Sequence, residues 1–199
     1  MKVCLIALFV AVILSCNNTR VMSASSFDEY ARTEQITDSF LVSLQQNNEV
    51  VLAYAVESYA WVRAVDYRII AMNKGQWKGF TYHRKTTGGI TETHETIAVS
   101  KKICDEVWKY IQTNEAWKIK GDNGNVFCIG EKKSNCNIND GVTWRLLIAT
   151  KDKIVDPSYY EPAFYENCCP GNADRKLFID AANKIKEAFI LKANRNFFQ

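Results

Sequence analysis

Histidine is scarce in this sequence. Its 199 residues include two, His83 and His94, so the commonest kind of general base has two candidates. His94-Glu95 has no second histidine four residues on, which excludes the H-E-x-x-H pattern of zinc proteases. None of the seven cysteines stands in a C-x-x-C unit, and that removes both paired zinc-ribbon spacing and a thioredoxin-like redox motif. A large charge of one sign is missing too: 25 basic residues face 22 acidic ones, for a formal net charge of +3. Lysines and acids are interspersed, as in Lys101-Lys102, Asp105-Glu106 and Lys132-Lys133, the pattern of a solvated surface. No basic stripe with interleaved aromatics is present, so nucleic acid is not an expected partner. About 20 consecutive apolar residues span a bilayer as a helix, and the run from Val3 to Leu14 falls short of that. No repeat or low-complexity tract is visible. What is present is a hydrophobic fraction of 47 % and an aromatic fraction of 12 %, enough to build the core of one domain rather than a disordered chain.

The start of the chain carries its most specific signal. Lys2 precedes a run, Val3 to Leu14, without a charged residue, as in a signal-peptide apolar region. The run leads into Ile13-Leu14-Ser15-Cys16, with a branched residue at Ile13 and a small one before the cysteine. These four residues resemble the lipobox of bacterial lipoproteins, and the Asn-rich start after Cys16 is similar to uncharacterised lipoproteins of Bacteroidota. The resemblance covers about twenty residues and brings no activity with it. It implies removal of residues 1–15 as a signal peptide and acylation of Cys16. A flexible tether over 16–26 and a single domain over 27–199 would follow. Each buried methylene of such a lipid contributes about 0.8 kcal/mol, so the membrane becomes a partner through the N-terminal lipid. The expected location is the bacterial cell envelope, periplasmic or at the outer surface. Two other readings stay open. An ordinary secretory signal cut after Ala24 gives a secreted chain, and in a eukaryotic secreted protein Asn17-Asn18-Thr19 would be a glycosylation sequon. All three export the chain.

Export gives the cysteines a meaning, because disulfides persist in oxidising compartments. Cys128 and Cys136 flank Ile129-Gly130-Glu131-Lys132-Lys133-Ser134-Asn135, a segment of hairpin-tip composition, and are the first expected pair. Cys104 on a helix face is expected to reach Cys168 or Cys169, with one sulfur left over. No metal site and no cofactor is expected from these spacings.

Periodicity predicts an α+β fold, an antiparallel sheet with helices packed on one face. Helical spacing runs loosely from Phe27 to about residue 46, with Ser25 or Ser26 as cap. Strand composition follows from Glu49 to Ala71 and from Trp77 to Arg84, divided by a turn at Asn73-Lys74-Gly75. Residues 86–95 read as a polar connection. A helix over about 100–113 presents Cys104, Val107 and Ile111 on one face. Trp117 to Lys120, Val126 to Ile129, Val142 to Thr150 and Lys153 to Val155 read as strands. Pro157 and Pro162 bracket an irregular aromatic segment. Asn172 then caps a last helix with Asp174 in its first turn and Phe178, Ala181, Ala182, Ile185, Ala188 and Phe189 on its apolar face.

No catalytic residue is assigned. Asp122-Asn123-Gly124-Asn125 lacks the register of a calcium loop, and Glu161 and Glu166 are a carboxylate pair of undefined separation. The expected function is a non-catalytic binding or envelope-associated domain whose ligand is a protein, peptide or glycan. Two rivals are an inhibitor plugging a foreign enzyme with a braced Cys128–Cys136 hairpin, and a hydrolase of envelope polymer or glycan. Trp61, Trp77, Phe80, Tyr82, Trp144, Tyr159, Tyr160 and Tyr165 form either core or an exposed ligand platform. Metabolic labelling with a palmitate analogue is expected to mark the wild-type chain and not Cys16→Ala; equal labelling of the two would remove the anchor.

Overall fold

The computed structural model describes residues 27, 36, 38–59, 62–122, 136, 138–151 and 153–190. Strand β1, Val50–Ser58, reads VVLAYAVES and is buried over nearly all its length. Its position explains this: it pairs antiparallel with β2, Ala64–Asn73, on one side and with β5, Val142–Ala149, on the other. Strands β3, Gln76–Lys85, and β4, Thr91–Ile97, continue the meander beyond β2. Two short strands, β6 (Ile154–Val155) and β7 (Ser158–Tyr160), both pair with β5. The order is β4-β3-β2-β1-β5-β6, with β7 attached to β5. This is the α+β class that the periodicity implies. Between β2 and β3, Lys74 at φ 50° and Gly75 at φ 70° make a two-residue loop closed by the Asn73–Gln76 pair, the primed turn that suits the twist of a hairpin.

Alternation along β1 sends Val50, Leu52 and Tyr54 to one core and Val51, Ala53 and Ala55 to the other. The first core is closed by two long helices. Helix α2, Lys101–Thr113, contributes Cys104, Val107 and Ile111; α4, Ala173–Ile190, contributes Phe178, Ala181, Ala182, Ile185 and Ala188. Gly79 lets this layer sit close, since a Cβ there would lie 2.4 Å from Val99 Cγ1 and 2.8 Å from the Ile97 carbonyl. The second core receives one short helix, α1, Ser39–Asn47, through Leu41 and Leu44. The long helices therefore share one face, and α1 occupies part of the other.

Several local expectations change. Of the helix expected from Phe27 to about residue 46, Phe27 is helical and 28–35 lie outside the described residues. Ser39–Asn47 is a separate helix, because the Asp38 carboxylate accepts the N–H groups of Phe40 (3.0 Å) and Leu41 (3.1 Å) and caps it there. Residues 91–97 form edge strand β4 where a polar connection was expected. Exposed Thr, Glu and His on both faces conceal an edge strand from any hydrophobic pattern. Trp117 to Lys120 contains a 3₁₀ turn, Ala116–Lys118, not a strand, with Trp117 buried edge-on against Phe27 at 6.0 Å between ring centres. Between and after the prolines stand β7 and a helix α3, Pro162–Cys168, with Pro162 in its first turn, where no N–H partner is needed. The expected strand Val126 to Ile129 lies outside the described residues.

The cysteine pairing is also corrected. Cys136 is bonded to Cys168, with 6.0 Å between their Cα atoms, and not to Cys128, which lies outside the described residues. Helix α3 places Cys168 against residue 136, a proximity that short sequence spacing could not reveal. Closing such a loop contributes about 3 to 4 kcal/mol in the chain-entropy account. Cys169 is disulfide-bonded as well, and its Sγ lies 3.3 Å from that of Cys136. Cys104 is a free, buried thiol, so the expected bond from Cys104 to Cys168 or Cys169 does not form. Burial, with Asp105 adding to it, pushes this thiol up to about 11. Beside the disulfide, buried Arg175 donates from Nε to Glu166 (2.9 Å) and from Nη2 to the Cys169 carbonyl. Its backbone N–H is capped by Asn172 at 3.0 Å, as the sequence implies. No described helix is long and apolar enough to cross a membrane.

Non-reducing peptide mapping is expected to recover Cys136 and Cys168 in one linked fragment. Iodoacetamide is expected to leave Cys104 unmodified in the native protein and to label it after unfolding; rapid native labelling would contradict its burial.

Candidate functional site

The sheet face that α1 covers is only partly closed. Beyond the helix N-terminus, toward the ends of β1, β2, β3 and β5, lies a cleft of about 590 Å³, within the range of small-molecule sites. Its apolar lining is Ile36, Leu41, Val65, Tyr67, Leu147 and Ile154. Around this floor stand Arg63, Arg84 and Arg145 with Asp38, Glu57 and Asp156.

Strand register builds the arrangement. Arg145, Ala55, Tyr67 and Tyr82 form one cross-strand row, and Glu57, Val65 and Arg84 form part of the next. Ala55, between Arg145 and Tyr67, is buried in the second core. Arg145 grips Asp156 with two donors, Nη2 to Oδ2 and Nε to Oδ1 at 3.3 Å, and its Nη1 is 3.6 Å from Glu57. Arg63 reaches the other Glu57 oxygen at 3.7 Å and lies against the ring of Tyr59 at 5.3 Å. Arg84 Nε is 3.1 Å from Glu92 and 3.8 Å from Asp38, yet neither is aligned with it as an acceptor, and this buried N–H has no hydrogen-bond partner among the described residues.

Carboxylates lie deeper than guanidiniums. The side chains of Asp38 and Glu57 are 8 % and 10 % exposed, against 64 % for Arg63 and 35 % for Arg145. The closest pairings, Arg145 with Asp156 and Arg84 with Glu92, are half-exposed, and the more deeply buried Glu57 lies 3.6 to 3.7 Å from Arg145 and Arg63. Burial by itself lowers the Arg145 pKa, but Asp156, with Tyr67 and Glu57 behind it, outweighs that and holds the guanidinium above its ordinary range. Tyr67 is pushed up to about 12 by burial. Tyr82 is also raised, first by burial and then by its hydroxyl donating to Asp38 Oδ2 at 2.5 Å.

The residues singled out from sequence lie elsewhere. His83 Nδ1 sits 2.8 Å from Asp66, both partly exposed, and His94 stacks on Phe40 at 4.5 Å; neither lines the cleft. Glu161 accepts the Val142 N–H at 2.6 Å, and Glu166 serves Arg175, so the supposed carboxylate pair braces the backbone. Asp122 accepts the Tyr160 N–H at 2.7 Å and fastens β7. Most of the aromatic set is core: Tyr82, Tyr159 and Tyr165 are buried, with Trp77, Phe80 and Trp144 half-buried. The ammonium of Lys186 covers Trp144 and Tyr54 at 3.9 and 4.3 Å, which closes that surface. Trp61 and Cys16 lie outside the described residues. The cleft residues themselves were missed. The one legible hint is Glu57 closing an otherwise apolar strand.

Tyr82→Phe is expected to lower the urea midpoint by the equivalent of about 1 to 2 kcal/mol, because Asp38 loses a donor. The raised tyrosine pKa values contribute stability that is complete below about pH 10, where unfolded tyrosine ionises. That contribution is lost as pH rises through about 12, where Tyr67 titrates in the folded protein. Urea midpoints across this window are expected to fall less steeply in Tyr82→Phe; an identical profile would show that the buried hydroxyl is not coupled to folding.

No family model matches this chain, and no curated protein matches it.

Proposed function

We propose that this is an exported domain, tethered to a membrane through acylated Cys16, which binds a small ligand in the cleft beside α1 without catalysing its conversion. The cleft carries this reading: six ionised side chains are prearranged around an apolar floor. Burying such charges opposes folding unless their geometry is well satisfied, and residual donors aimed at solvent are what a binding site retains. Hydrolysis needs a carboxyl free to exchange a proton. Here Asp38 caps a helix and holds Tyr82, Asp156 is gripped by Arg145, and Glu57 lies between two arginines. The inhibitor alternative rested on a Cys128–Cys136 brace, and Cys136 bonds elsewhere. Export is supported by the leader and by the disulfide, which persists in an oxidising compartment.

A fragment screen followed by amide chemical shifts of the labelled full chain tests the binding site. Hits are expected to perturb residues 36–41, 57, 63–67, 84–86, 145–147 and 154–156. Hits confined to the Trp144–Lys186 face, or none at all, would overturn it.

A further inference from the structure

We infer that the ligand of this cleft is an uncharged polyhydroxylated ring, a saccharide of one or two units; the inference rests on the cleft being a binding site. Charge balance is the first ground. The three guanidiniums and three carboxylates of the lining cancel in formal charge, so the cleft holds no countercharge in excess for a charged ligand. A purely apolar guest fails on the second ground, because it would strip water from ionised groups and return no hydrogen bonds.

Hydroxyl groups fit what is left over. Each offers one donor and two acceptor lone pairs, and the lining retains both kinds of partner. Arg145 uses Nε and Nη2 on Asp156 while Nη1 stays 3.6 Å from Glu57. Arg63 is mostly exposed, whereas the unpartnered Nε of Arg84 is buried and out of a ligand's reach. On the acceptor side, Glu57 takes the Tyr59 hydroxyl and meets its arginines only at 3.6 and 3.7 Å, so two carboxylate oxygens keep lone pairs for one further donor. Planar guanidinium and carboxylate groups match neighbouring ring hydroxyls in pairs, and Leu41, Leu147 and Ile154 supply an apolar surface for the C–H face of the ring.

An extended peptide meets an obstacle. The cleft lies on a sheet face, where the backbone groups of β1, β2, β3 and β5 are spent on one another. The main-chain ladder that binds peptides along a sheet edge is therefore not on offer there.

The test titrates the labelled full chain with maltose, cellobiose, lactose and N,N′-diacetylchitobiose, and in parallel with hexanoate and a blocked neutral dipeptide. At least one disaccharide is expected to shift the amides of residues 63–67, 84–86 and 145–147 saturably. Arg63→Ala and Arg145→Lys are each expected to weaken that binding about tenfold or more, and Arg63→Ala is expected to keep the wild-type urea midpoint, which separates lost contact from lost fold. Shifts at the cleft by hexanoate or the dipeptide, with none from any disaccharide, would overturn the saccharide and leave the binding site standing. Disaccharide shifts confined to another surface would also overturn it. Fragments that bind the cleft while all six probes fail would do the same, and silence from every probe and fragment would overturn both.

Discussion

One carboxylate, Asp38, ties the cleft to the fold. It caps α1 with one oxygen and takes the Tyr82 hydroxyl with the other, so a helix terminus and the middle of β3 share an acceptor. Tyr82 in turn stacks on Tyr67 at 5.7 Å, and Tyr67 floors the cleft. A buried acid with this many donors is satisfied, and an unsatisfied one would cost several kcal/mol. Together with Leu41 and Leu44 in the second core and Gln45 bonded to the Thr150 carbonyl, that group holds α1 on the sheet and so sets the boundary between closed core and open cleft.

The two faces of the sheet solve different problems. On the side of α2 and α4, small residues such as Ala181 and Ala182, with Gly79 below, let helices settle onto a fully apolar layer, and dispersion and burial do the stabilising. On the other side the apolar layer thins toward the ends of β1 and β5, and ion pairs take over. Replacing such pairs by packed apolar residues is often neutral or stabilising in proteins, so stability alone gives no reason for this arrangement. Retained hydrogen-bonding capacity does.

How much of this was legible from sequence depended on period. Helix α4 reads cleanly because Phe178, Ala181, Ala182, Ile185 and Ala188 keep one face over about three turns and Asn172 caps the helix. The β2–β3 hairpin reads from Asn73-Lys74-Gly75. Strand β4 does not read, since Thr-Glu-Thr-His-Glu-Thr has polar residues on both faces of an edge. Helix α3 does not read because it is seven residues long and rich in aromatics that also suit strands. Beyond the hint at Glu57 the cleft could not be read: Glu57, Arg84 and Arg145 are isolated in sequence and meet through cross-strand register, which has no local signature, and Asp38 joins them from a helix cap.

Cys104 also limits which cysteine pairings the native domain can hold. Residues 27–199 hold five cysteines, which allow many pairings, and α2 turns Cys104 into the first core. With that sulfur withdrawn, four cysteines remain, and four allow three connectivities. Joining Cys136 to Cys168 rules out both a bond between the adjacent Cys168 and Cys169 and a closure of the short Cys128-to-Cys136 segment. In the native domain the odd sulfur is thus held inside the first core, out of reach of exchange with the disulfide beside α3.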